Sequence, residues 1–479
     1  MGAGLLVTDG YKFSMAEAGW PLREETFSAT HRRGGLQVVP FDVEAELRAV
    51  LPTVDSQDWA FLAANEYELG AGVKAALGRP QVQVRALPRF SIFHDREPIF
   101  TVTGPSALVS WLEPQVLMWS YRIQVATVAV FRPHELAQAV GTVTCERQRQ
   151  LVLETLDAVG VKAPAITVDS QGYVARVTAR VKELVDVVGT PSRLFEVGLR
   201  AASCVEQHLL ALEGCKAAGL TRTSHVFGAK ALGLVPVGTM GHEHVQRYGS
   251  DEAAFRAMVD RRPHRSSFLL DTFDTIRSGI PTAYSIIRER PAERDSIRFD
   301  SGDKESQYRV AVQLAREQGL RPVMILEDGF DTELTTRFEA LRREVAWAPE
   351  DQVYGYGGFL VAQTAGTPLT RDRVSAVYKL TQTGQRPCMK FGNEAGSGKQ
   401  SIPGQPVVWR RKPGVGGAWG IIAQHGESLP DGYELLTGAA PRKAVDVESV
   451  RAVAADDLRL VHSPATQALI DRLKKEAFG

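Results

Sequence analysis

The chain has 479 residues, too many for one simple core, so two or three domains are expected. Hydrophobic content of 44% and charged content of 23% are those of an ordinary globular protein, and 56 basic residues balance 56 acidic ones. That balance argues against a nucleic-acid-binding protein, although it leaves room for a local basic pocket.

The four cysteines, Cys145, Cys204, Cys215 and Cys388, form no CxxC pair. They suggest neither a zinc site nor a disulfide framework, and a reducing cytoplasm is the expected location. No secretory signal is visible at the N-terminus, and Leu6 stands where a myristoylation signal needs Ser or Thr. No run is apolar enough for long enough to span a bilayer.

In chain order, residues 1–125 read as a mixed α/β region. Gln81 to Ala86 alternates in the strand manner, and Phe90 to Gly104 carries further strand-like runs. From about residue 126 to 370 the pattern changes. Ala201 to Ala218 reads as an amphipathic helix stopped by Gly219, and Val235 to Thr239 as a short apolar run. Glu252 to Asp260 reads as a helix capped by Ser250 or Asp251. Ser296 to Phe299 reads as a strand, followed by a helix from Lys304 to about Gln318 with Asp303 as candidate cap. Val323 to Leu326 is a buried strand, Asp331 caps a helix from Thr332 to about Arg343, and Gln352 to Tyr354 is another strand. This alternation predicts βα units on a parallel sheet or barrel. Residues 371–479 are looser, with a Gly-rich loop from Glu394 to Gly404 and a short amphipathic helix from Ser463.

The most informative stretch is Ile297-Arg298-Phe299-Asp300-Ser301-Gly302-Asp303, a strand that stops in a turn with two acids and an arginine. Ligands bind at such carboxyl ends of strands in α/β proteins. Carboxylates there hold a ribose diol or magnesium, and an arginine holds an anion. Asp303 has a competing reading as a plain helix cap. The ends Glu196 to Arg200, Thr223 to His225, Gly238 to Glu243, Glu327 to Gly329 and Gly355 to Gly358 add arginine, acids, histidine and bare glycine amides. In a barrel all of these converge on one face. The inventory suits a phosphorylated sugar and an anionic ring.

Thr8-Asp9-Gly10-Tyr11-Lys12, Gly238-Thr239-Met240-Gly241-His242-Glu243, Asp271-Thr272-Phe273-Asp274-Thr275 and the segment from Arg298 to Asp303 resemble, in order and spacing, the signature set of nicotinate phosphoribosyltransferases. The resemblance runs from about Leu6 to Gly404. It implies a type II phosphoribosyltransferase. Such a fold is α/β, an irregular βα barrel with a mixed α/β domain built from the N-terminal part and the C-terminal segment. It also implies a homodimer with shared active sites. The implied reaction joins nicotinate to phosphoribosyl pyrophosphate (PRPP), releasing nicotinate mononucleotide and pyrophosphate in NAD salvage. ATP assists as cosubstrate, and Mg2+ accompanies PRPP and pyrophosphate with its protein ligands unassigned.

Carried over residue by residue, the resemblance makes His242 the histidine phosphorylated from ATP and Asp300 the partner of the ribose hydroxyls. Asp303 assists Asp300 or caps its helix. Arg298 is expected to face the pyridine carboxylate or the 5′-phosphate, and Arg200 matches the arginine of the Glu-Phe-Gly-x-Arg motif. Asp328, Gly329, Gly357 and Gly358 are expected around the ribose phosphate, with Arg371 also in the substrate-binding set. Tyr11 is similar to the aromatic that reaches across the dimer to stack on the pyridine ring.

Some positions depart from the family pattern. Val197 replaces an aromatic that stacks on the pyridine, and Ala201 replaces a frequent second arginine. Tyr356-Gly357-Gly358 resembles the nicotinamide-using branch. Ser224 stands where that branch carries an aspartate, and a serine donates to a carboxylate without placing like charges together. Nicotinate is therefore the favoured base, with nicotinamide as the alternative. A non-catalytic nucleotide-binding relative and a quinolinate-using enzyme are further alternatives. Gly392 to Lys399 is one residue too long for a P-loop and lacks its Ser/Thr, although Lys399 is a candidate phosphate contact. Val323 to Asp328 begins like a type I phosphoribosyltransferase motif that Glu333 breaks.

Overall fold

The computed structural model describes residues 3–366, 368–391, 400–448 and 458–478. Its centre is a parallel sheet of seven short strands, in the order Val235–Pro236, Arg222–Thr223, Leu194–Glu196, Gln352–Tyr356, Val323–Leu326, Ser296–Phe299 and Ser267–Leu269. The first and last are not paired with each other, so the barrel is open between them. The strands are near-continuous apolar runs such as Val323-Met324-Ile325-Leu326, as expected where both faces are covered. Helices such as Lys304–Glu317 and Thr332–Glu344 lie between them in sequence. Buried tyrosines fill much of this core and satisfy their hydroxyls internally. Tyr284 donates to the Ala311 carbonyl at 2.8 Å, and Tyr356 shares a 2.7 Å bond with Thr335.

A second layer is an antiparallel five-stranded sheet in the order Arg386–Pro387, Ala376–Thr383, Glu24–His31, Pro98–Pro105 and Gln83–Ala86. One of its inner strands therefore comes from beyond the barrel in sequence and pairs along the length of Glu24–His31. A four-stranded sheet follows, ordered Tyr433–Leu435, Pro406–Arg411, Gly420–Gln424 and Leu460–His462. The mostly buried helix Glu113–Phe131 touches both the strand Ala376–Thr383 and the barrel turn Leu199–Ala201. Arg247 grips Glu25 through Nε and Nη2, both at 2.8 Å, and so ties the barrel side to the antiparallel sheet.

The expected α/β architecture with an irregular barrel is what the chain adopts. Two local expectations need correction, and a third lies outside the described residues. The helix read from Ala201 begins at Val205, because Gly198 and the short 3-10 turn Leu199–Ala201 first carry the chain out of the strand. The run Val235 to Thr239 is a strand only at Val235–Pro236, because Val237–Thr239 instead wrap against the helix Gly10–Glu17. The segment Gly392 to Lys399, with the candidate contact Lys399, lies outside the described residues. Among the described residues, no helix is long and apolar enough to cross a membrane.

Candidate active site

The carboxyl ends of the barrel strands open into a cleft of about 790 Å3 that the antiparallel sheet closes from above. Gly10, buried, and Gly238, half-buried, let the layers meet. A side chain at Gly238 would strike the backbone of Gly10 and Tyr11, and one at Gly10 would strike Tyr67 and the Val237 carbonyl. The Asp9-Gly10-Tyr11 and Gly238-Thr239 motifs are thus two halves of one close backbone contact.

His242 begins the helix His242–Tyr248 and is buried. Its Nδ1 lies 3.1 Å from Thr272 Oγ1, and its Nε2 lies 3.2 Å from Asp300 Oδ2, 3.0 Å from Lys390 Nζ and 3.7 Å from Asp271 Oδ2. Burial and the Lys390 cation lower the imidazole pKa, although Asp271 and Asp300 oppose them. The ring is therefore neutral at pH 7 and keeps one nitrogen lone pair. For Asp300, burial acts to raise the pKa, but the bond to His242 and the charge of Arg298 outweigh it and hold the carboxyl well below the usual range. His242, Asp271 and Asp300 each bring one ligand atom within 4.8 Å of the others. Asp271 Oδ1 is buried without a hydrogen-bond partner, so the set has unused acceptor capacity for a hard cation.

Arg298 enters the cleft from its strand, bonded to Thr239 Oγ1, with Asp300 and Glu327 carboxylates each 3.9 Å away. Glu327 is pushed up by burial despite Arg298. Asp328 and Gly329 follow with φ of 56° and 76°. Left-handed backbone is uncommon outside glycine, although Asp adopts it more readily than most residues, and here it turns the chain sharply at the end of its strand. Gly357 and Gly358 line the same cleft, and a side chain on Gly358 would collide with Asp372. Arg371 also lines it while donating to the Ala376 carbonyl at 3.0 Å. Arg32 joins this end, its pKa lowered to about 10 by burial and by the neighbouring Arg371 and Arg96 charges.

Glu113, which sequence reasoning did not single out, organises the opposite wall. Its Oε2 accepts from Tyr11 Oη at 2.7 Å and from Lys12 Nζ at 2.7 Å, while Arg200 and Lys379 stand 3.8 Å from Oε1. Burial alone would raise its pKa, but Lys12, Lys379 and Arg200 together hold it well below the carboxylate range. Lys379 is pulled down to about 7 by burial, against the opposing pull of Glu113. Lys390 was likewise not singled out. These three residues show no local motif, since each acts through a contact that only the assembled layers create.

Most of the expected site residues gather in this cleft. Tyr11, Arg200, Ser224, His242, Arg298, Asp300, Asp328, Gly329, Gly357, Gly358 and Arg371 all line it. Asp303 does not. It is exposed, and its carboxylate caps the helix Lys304–Glu317 by accepting from the Ser306 amide at 3.2 Å and Ser306 Oγ at 2.6 Å. Ser224 donates 2.6 Å to Asp9 Oδ1, so its hydroxyl hydrogen is already committed inside the protein. Tyr11 lines the cleft of its own chain, because the Gly10–Gly238 contact seats its helix on the same barrel.

No family model matches the chain. Among curated proteins, a nicotinate phosphoribosyltransferase from Mycobacterium tuberculosis is 30% identical over 217 residues, covering 44% of this chain and 43% of that protein. The Bacillus subtilis nicotinate phosphoribosyltransferase is 27% identical over 248 residues, 51% of this chain and 47% of its own length. The human one is 26% identical over 386 residues, 77% of this chain and 65% of its own. The chain is thus similar to nicotinate phosphoribosyltransferases over part of its length. Its match spans less than half the length of the first two of these relatives. Solved nicotinate phosphoribosyltransferases share the fold. The Porphyromonas gingivalis enzyme superposes with a TM-score of 0.60 at 18% identity, over 84% of this chain and 96% of that one. The Vibrio cholerae enzyme gives 0.57 at 16%, over 81% and 88%.

Proposed function

We propose that the chain is a nicotinate phosphoribosyltransferase that forms nicotinate mononucleotide and pyrophosphate from nicotinate and PRPP, assisted by ATP hydrolysis, in NAD salvage. The observation that carries this reading is the meeting of His242 with Arg298 and Asp300, from two different strand ends, and with Lys379, Lys390 and Arg371 in one cleft. Cations around carboxylates suit a pyrophosphate leaving from a ribose. Displacement at the ribose C1 builds positive charge on the sugar, so placement and charge stabilisation matter more than a nucleophile. Asp300, held ionised, faces the ribose hydroxyls and the developing charge. Arg371, Arg32 and the backbone of Asp328–Gly329 and Gly357–Gly358 take the 5′-phosphate. Tyr11, over whose ring Arg200 lies at 5.6 Å, takes one face of the pyridine.

Phosphohistidine belongs to the same proposal. A neutral imidazole offers the lone pair of its unprotonated ring nitrogen to the ATP γ-phosphorus, and the bond to ADP breaks as the N–P bond forms. Lys390 neutralises the incoming charge. Asp271 and Asp300 would hold Mg2+ through oxygen, with His242 beside them. The ion supplies charge neutralisation on pyrophosphate oxygens. The resemblance to nicotinate phosphoribosyltransferases also supports a homodimer, which sedimentation checks.

The deciding experiment supplies PRPP with nicotinate or nicotinamide, with and without ATP, and identifies products by mass. Nicotinate mononucleotide formed faster with ATP supports the proposal. Gly357–Gly358 and the Ser224 hydrogen held by Asp9 keep nicotinamide as the second reading, and preference for it would move the chain to the amide branch. No product from folded protein would favour a binding relative.

A further inference from the structure

All four cysteines are buried and reduced, and two of them touch. Cys145 Sγ and Cys204 Sγ lie 3.5 Å apart although 59 positions separate them in sequence. Their surroundings are duplicates. Thr144-Cys145-Glu146-Arg147-Gln148 opens the helix Glu146–Ala158, and Ser203-Cys204-Val205-Glu206-Gln207 opens the helix Val205–Ala217. In the first, Gln148 Oε1 reaches back to accept from the Thr144 amide at 2.7 Å and its hydroxyl at 2.8 Å. In the second, Gln207 Oε1 accepts from the Ser203 amide and hydroxyl, both at 2.7 Å. The cysteines share one extended backbone, with φ, ψ of −151°, 165° and −161°, 167°. Two copies of one Ser/Thr-Cys-x-x-Gln helix start therefore face each other with their sulfurs in contact.

Each sulfur sits at a helix N-terminus, where the unpaired amides favour a thiolate. The pair shares its protons: the Cys204 S–H bonds to Cys145 and pulls the Cys145 thiol down to about 7, against burial. Tyr121, Gln148, Ser203 and Gln207 line a cavity of about 10 Å3 beside them, room for one water-sized molecule. Tyr121 Oη and Gln148 Nε2 have no hydrogen-bond partner there. Ala201 and Arg371 line both this cavity and the cleft.

We propose that Cys145 and Cys204 form a reversible disulfide under peroxide, tying the turn that carries Arg200 to the helix Glu146–Ala158 and weakening anion binding in the cleft. The Cys145 thiolate attacks the O–O bond, giving a sulfenic acid and, once the leaving oxygen takes a proton, water or an alcohol. The Cys204 thiol then attacks that sulfur, forming the S–S bond and releasing water. Two thiols lose two electrons and two protons, and the peroxide takes up both. Closing a 3.5 Å contact to a bond of about 2 Å draws Cys204 towards Cys145. Arg200 lies only four positions ahead of Cys204 and moves with it.

The test treats the full chain with hydrogen peroxide, maps peptides by mass, and titrates inorganic pyrophosphate by calorimetry before and after. The expected result is a Cys145–Cys204 cross-linked peptide, loss of two of the four free thiols, and several-fold weaker pyrophosphate binding. Dithiothreitol restores both, and Cys145→Ser and Cys204→Ala each abolish the cross-link and the change in binding. Sulfinic acid at Cys145 without a cross-link overturns the proposal, and so does a cross-link that leaves pyrophosphate binding unchanged. The peptide map on the unsubstituted chain decides even if a variant folds poorly. Neither readout depends on which base the cleft accepts.

Discussion

At the residue scale, Lys379 and His242 carry the most testable chemistry. Lys379 loses its proton in the unliganded protein as pH rises through about 7. The cleft then loses one positive charge, so kcat/KM for PRPP is expected to fall above that pH. Lys379→Arg keeps the charge and should carry the falling limb to higher pH, as a pH–rate profile would show. An unchanged limb would mean another group is responsible. His242 predicts a separation of effects. His242→Asn should abolish ATP stimulation while retaining the slower ATP-independent turnover, because Asp300 and Arg298 stay in place. Equal loss of both rates would assign the histidine to the transfer step itself.

At the element scale, the turn after the strand Ser296–Phe299 divides its two acids by direction. Asp300 turns into the cleft, and Asp303, three positions on, turns outward to the helix amides. Asp303→Ala should therefore cost about 1 kcal/mol in denaturant unfolding, as the loss of an N-cap does. It should leave kcat/KM unchanged, and a large fall in turnover would contradict the capping assignment. Strand ends were legible because apolar runs stopped by Gly and Asp have one meaning in a βα repeat. Asp303 kept two readings, because a capping acid and a catalytic acid look alike until the turn is drawn. The start at Val205 was hidden because Leu199 to Ser203 continues an apolar pattern without continuing the helix.

At the scale of the whole molecule, the barrel and the antiparallel sheet depend on each other. Glu25 and Arg247 are both buried, so Glu25→Gln leaves Arg247 without its counter-charge. The expected cost is about 3–5 kcal/mol at neutral pH, read by chemical denaturation. Burial acts to raise the Glu25 pKa, but Arg247 outweighs it and the folded value is lowered below 4.5. The stabilisation is thus complete above the unfolded value and is lost as pH falls through the folded one. The difference between the two proteins should shrink in acid below about pH 4. The layered fold was legible through its motifs, whereas Glu113, Lys379 and Lys390 were not. Their partners lie far away in sequence, and no spacing rule joins a helix start to a strand hundreds of residues later.

The strand Ala376–Thr383 also governs the order in which the protein is made. Thr381 bonds to the Thr26 carbonyl across 355 positions of chain. At roughly 5–20 residues per second, the ribosome delivers that strand about 20–70 seconds after the one it must flank. Until then Glu24–His31 presents an unpaired edge, and the cleft lacks Lys379 and Lys390. The cleft therefore gains these two cations only in the last quarter of synthesis, after the last barrel strand, Gln352–Tyr356, has been made. Slow decoding or chaperone shortage in that interval is expected to show as aggregation through that edge.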